Sequence, residues 1–113
     1  MALLTAITPT AAGVVWSPAA VSASDTIAAA DLGTKGAYLV VINGGASPDT
    51  VTVVDAGLTP AGNAATNLTN SVTNATTEIM YIPPTVVNLA TGLATVTHSF
   101  TTTVTCVLIR ING

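Results

Sequence analysis

The sequence predicts an all-β fold: a single β-sandwich, jelly-roll or Greek-key-like, of seven to eight short strands. Three observations point there. Ala and Val make up most of the apolar half, and Thr is the commonest polar residue. Val, Ile and Thr are branched at Cβ and sit well on a pleated surface. The polar helix formers are nearly missing, with one Lys, one Arg, one Glu and no Gln, so an amphipathic helix would have almost nothing for its wet face. Finally, short apolar runs alternate with clusters of Gly, Pro, Asn and Ser, the punctuation of a sandwich or barrel. At 113 residues the chain fits one domain.

Residues 1–12 mix apolar residues with Thr and Pro9, the pattern of an N-terminal arm or edge strand; the sandwich itself is expected over 13–113. Val14-Val15-Trp16 reads as a short strand stopped by Ser17-Pro18. Asp25–Ile27 reads as another within an Ala-rich stretch, in preference to a short helix capped by Ser24 or Asp25. Ala37–Ile42 is a continuous apolar strand. The Asn-Gly-rich segment 43–49 and the run Val51–Val54 complete what reads as a hairpin. Residues 58–74 read as a long surface loop with a weak strand near Asn67–Val72. Then come Glu78–Ile82, ended by Pro83-Pro84, a short strand at Val86–Leu89, the partly alternating Leu93–His98, and a last strand within Thr101–Ile111. No period repeats along the chain, which excludes a solenoid or propeller.

Charge is the most informative number. Charged residues make up 6% of the chain, against about 25% in ordinary soluble domains. Two cations, Lys35 and Arg110, cannot neutralise a run of phosphates or form a juxtamembrane patch, so no nucleic-acid or membrane partner is expected. The apolar runs are strand length, too short to span a bilayer as helices. Met1-Ala2-Leu3-Leu4 has no basic lead-in to an apolar core, so the expectation is a protein made and used in a cytoplasm. A surface clothed in Thr, Asn and Ser instead of charge suits a subunit covered by neighbours in an assembly.

Chemistry is sparse. His98 is the sole histidine, and a Ser-His-Asp set could draw on Asp25, Asp31, Asp49 or Asp55, but no strand-turn-helix nucleophile motif accompanies it. One Cys and one His make no zinc site, the acidic residues form no calcium loop, and Gly44-Gly45 lacks the Lys of a phosphate cradle. No catalytic, metal or cofactor-binding residue is therefore expected. Cys106, amid Val104, Val107 and Leu108, reads as a buried small hydrophobe. Contact surface remains: Leu3, Leu4 and Ile7 as apolar residues of the N-terminal segment, and Trp16 as either an interface anchor or a core residue.

The stretch Ala37–Asp55, AYLVVINGGASPDTVTVVD, with Tyr81-Ile82-Pro83 and the Val-rich run Val104–Ile111, resembles the capsid decoration or cement proteins of tailed phages. As a pattern of strands the resemblance covers residues 37–111. It departs from the family pattern in the long neutral loop 58–76, where an acidic or Gly-rich turn is usual. It implies a structural virion protein, not an enzyme, that sits on the capsid exterior, binds the major capsid protein and self-associates as a homotrimer. A tail or fibre-type virion subunit, or an adhesin or pilus-like module, is the alternative within the same fold.

Overall fold

The computed structural model describes residues 2–55, 57, 60–63 and 66–111. Among the described residues there are nine strands: β1 (Ala2–Leu4), β2 (Ala19–Ala20), β3 (Ser24–Ala28), β4 (Ala37–Asn43), β5 (Asp49–Val54), β6 (Leu68–Val72), β7 (Thr76–Ile82), β8 (Leu93–His98) and β9 (Val104–Arg110). One helical turn, α1 (Ala29–Leu32), and one 3₁₀ turn (Pro84–Val86) interrupt them. The first sheet runs β1-β3-β8-β5-β6 and the second β2-β9-β4-β7. Successive strands lie in opposite sheets except β5 and β6, which are neighbours. Every pairing between these strands is antiparallel except β1 with β3. Strands β2 to β9, four per sheet, therefore form a jelly roll, and β1 adds a ninth strand at one edge. Among the described residues no helix is long and apolar enough to cross a membrane.

The two sheets close over one core. Leu39, Val41, Ile82, Val104, Cys106 and Leu108 come from the second sheet, and Ile27, Val51, Val53, Val72, Ala94 and Val96 from the first. Leu32, Val86 and Val87 seal one end. Each fully buried aliphatic side chain contributes about 1.5–3 kcal/mol against exposure, which is what orders strands this short.

Several expectations change. Ala37–Ile42 and Val51–Val54 are not a hairpin: β4 pairs with β7 and β9, β5 with β6 and β8. The segment between them is a crossover held by Asn43. Its buried side-chain amide donates to Ser47 O at 2.9 Å and Val72 O at 3.1 Å, and its carbonyl oxygen accepts from the Gly45 amide at 3.0 Å. A Cβ at Gly45 would collide with the Phe100 ring and Thr102 O, so the second glycine is a steric requirement. Val86–Leu89 is not a strand. Pro83-Pro84 starts the 3₁₀ turn instead, and only a bridge between Asn88 and Leu93 follows. Val14-Val15-Trp16 lies outside regular structure. The weak strand near 67–72 is β6; residues 58, 59, 64 and 65 of the loop before it lie outside the described residues, as does Ala56.

The N-terminal segment is an edge strand and not a free arm. Ala2–Leu4 pairs in parallel with Asp25–Ile27, and the Ala6 amide donates to Asp31 Oδ2 at 3.3 Å. Ile7 then bridges to Ile109 on the other sheet, donating to Leu108 O and accepting from the Arg110 amide, each at 2.9 Å. Leu4 packs into the core while Leu3 does not: alternation along β1 sends Leu3 out beside Thr26 and Leu4 in beside Ile27.

Candidate interaction surface

Alternation also decides what each sheet shows to solvent. In β4, Ala37, Leu39, Val41 and Asn43 point inward, so Tyr38, Val40 and Ile42 point out. The register sets Tyr38 between Tyr81 and Ile109, Val40 between Ile79 and Val107, and Ile42 between Thr77 and Thr105. These nine residues form a three-by-three grid on the outer face of the second sheet. Seven are aliphatic or aromatic, two are Thr, and none is charged. The single acidic residue of β7, Glu78, points the other way and accepts a hydrogen bond from Asn70 Nδ2 at 3.2 Å.

The grid is open to solvent at its β7 margin. Tyr38 is 44% exposed, Tyr81 50% and Ile79 67%. Val40 and Val107 are buried, yet neither belongs to the interior cluster. Tyr38 and Tyr81 meet edge to face, with centroids 6.1 Å apart and planes at 60°. The Tyr81 hydroxyl donates to Lys35 O at 2.8 Å, which fixes that ring upright. The face is thus apolar and uncharged, a composition that the buried centres of protein interfaces share.

A second set of exposed apolar side chains lies at one end of the sandwich. Strand β3 runs into α1 and β7 into the 3₁₀ turn at this end, since Ile82 pairs with Ala37 and Ala28 with Leu93. The loop between β1 and β2 leaves from here, carrying Val14, Val15 and Trp16; Trp16 is 53% exposed and so is not a core residue. Leu89, fully in solvent, tips the loop between the 3₁₀ turn and β8. Leu3, 60% exposed, and the half-buried Ile7 instead line a groove of about 370 Å³ between β1 and β2, together with Ser17 and Ala19. Of the four residues singled out from the sequence, Leu3, Leu4 and Ile7 share the edge groove, Leu4 also packing into the core, and Trp16 stands in the end loop.

The polar chemistry is interior. His98 on β8 points inward and lies against Asp49 on β5, with Nδ1 donating to Asp49 Oδ2 at 2.6 Å; both side chains are fully buried. The other carboxylate oxygen accepts from the Phe100 amide at 3.2 Å. Of the four aspartates open to it on paper, His98 meets Asp49. A triad would also need a hydroxyl at Nε2, and that nitrogen is buried without a partner. The arrangement instead ties the end of β8 to the start of β5. Cys106 is buried, and burial, with the Asp25 carboxylate as a smaller cause, pushes its thiol up to about 11. Among the described residues no group of three His, Cys, Asp or Glu side chains is placed to hold a metal ion.

Comparison with protein-family models, with curated proteins and with solved structures returns no match.

Proposed function

We propose that the chain is a structural virion protein, a decoration or cement protein that binds the major capsid protein and stabilises the head shell of a tailed bacteriophage from outside. The observation that carries this reading is where the exposed apolar side chains stand. They form a charge-free grid on one broad face and a cluster of loops at one end, in a chain with two cations. A freely diffusing monomer rarely leaves such patches open. The jelly roll supports the reading as a fold that viral capsid domains use, although a fold hosts many functions and the weight falls on the surface. So does the resemblance of Ala37–Asp55 to decoration proteins. Binding of this kind needs no catalysis: apolar burial is worth about 25 cal/mol per Å², and Val14, Val15, Trp16 and Leu89 supply it at the end that would meet the shell.

The test is electron microscopy of heads assembled with and without the gene, and of bare heads after the purified protein is added. The expected result is extra density outside the shell only where the protein is present, and its loss with Trp16→Asp combined with Leu89→Asp. Retention should hardly change between low salt and about 1 M, because charge contributes little to the contact. Bare heads that stay bare, or protein shed in step with added salt, would contradict the proposal.

A further inference from the structure

The apolar grid and the end loops point in different directions, so one flat partner surface cannot cover both. We infer that the outer face of the β2-β9-β4-β7 sheet is where a second copy of this chain docks, face to face across a twofold axis. Three features select a second copy as the occupant. The face carries no charge while the chain carries a net −3, so this is a place where two identical molecules meet without opposing like charges. The Val40 row is aliphatic and the Tyr38 row aliphatic and aromatic, with two threonines beside Ile42, so two copies of the patch can meet across a twofold axis without burying a charge.

Area is the third feature. The molecule is a slab of 41 × 36 × 20 Å whose thin axis matches two stacked sheets. An ellipse on the two longer extents, about 1,160 Å² with the loops around the sheet included, is the ceiling on what that face can offer, and it exceeds the roughly 800 Å² per partner of a standard interface. The grid occupies the middle of that face, where an interface keeps its apolar core. The inference rests on the reading above only for its biological setting. Self-association is read on isolated protein and decoration on particles, so either can fail while the other stands.

Sedimentation equilibrium of the purified chain up to about 1 mM tests it. The expected species is a dimer. Ile79→Lys puts a cation on the grid and should weaken the dimer at least tenfold. Thr69→Lys, at an exposed edge-strand position on the opposite outer face, should leave it unchanged. Ile79→Thr keeps the β-branched backbone preference while removing the apolar tip, and should weaken the dimer severalfold with the fold intact by circular dichroism. It keeps the test decisive should the lysine variant fail to fold. A chain that stays monomeric at the highest concentration overturns the inference. So does a dimer or trimer that both Ile79 variants leave untouched, or an Ile79→Thr variant that fails to bind heads while the parent is monomeric, which would assign the face to the shell.

Discussion

The two sheets solve the same problem, a surface almost without charge, in opposite ways. The first sheet places hydroxyls outside: Ser24, Thr97, Thr52 and Thr69 form one row, with Thr26, Thr95, Thr50 and Ser71 around it. Its charged and polar groups, Asp25, Asp49 and His98, are turned into the interior and bonded there. The second sheet is apolar on both faces, with Leu39, Val41 and Leu108 inside and Tyr38, Val40, Ile79 and Val107 outside. Hydroxyls satisfy water and ask for no partner, whereas an apolar outer face gains free energy only when something covers it. On the reading proposed above, the difference makes the first sheet a wall and the second a contact.

If that division holds, damage to the first sheet should cost folding, and damage to the outside of the second should cost association. The largest effect is expected from His98→Ala, which strands the Asp49 carboxylate in the interior with the Phe100 amide as its remaining bond. Removing one member of a buried pair costs about 3–5 kcal/mol, and urea unfolding should show a loss of that size with self-association of the folded fraction unchanged. A loss below about 1 kcal/mol would mean that the pair is not holding β8 to β5.

Cys106, buried in the second sheet, gives the next effect. Burial first, and the Asp25 carboxylate second, push its folded thiol from the ordinary 9.0 up to about 11. The folded state therefore holds the thiol proton more tightly. The stability this contributes is full below pH 9 and is lost as pH rises towards 11, by at most about 2–3 kcal/mol. Cys106→Ala should flatten that part of the pH–stability curve; a slope identical to the parent's would assign it to other groups. The smallest effect is expected of Thr95→Val on the hydroxyl wall, within about 0.5 kcal/mol of the parent in unfolding and with no change in association. New oligomers from that single methyl-for-hydroxyl exchange would break the comparison between the faces.

Much of the wall and the core was legible in the sequence, because period-two alternation survives in Asp49–Val54 and Leu93–His98. The partners of β4 were not legible. AYLVVIN is apolar on both faces, so its pattern cannot say which side is core, and an Asn-Gly turn signals a reversal without saying whether the next strand joins the same sheet. The apolar grid was hidden for the same reason: Tyr38, Ile79 and Ile109 lie far apart in sequence and meet only through the register of three strands. Leu3, Leu4 and Ile7 stood out in the sequence because they are apolar in a segment without a clear strand, and Trp16 because it is the sole Trp. The parallel pairing of β1 with β3, a long-range contact, is what separated Leu4 from the others. The His98–Asp49 contact, 49 residues apart, likewise needed β5 beside β8.

Hydroxyl-radical footprinting of the isolated protein, dilute and at self-associating concentration, tests the division between wall and contact most directly. Oxidation of Tyr38, Ile79 and Tyr81 should fall on association, while Trp16, Leu3 and Leu89 stay as reactive as in the dilute chain. Protection at Leu3 or Trp16 with Tyr38, Ile79 and Tyr81 unchanged would contradict it and place the contact on the N-terminal edge or the end loops instead.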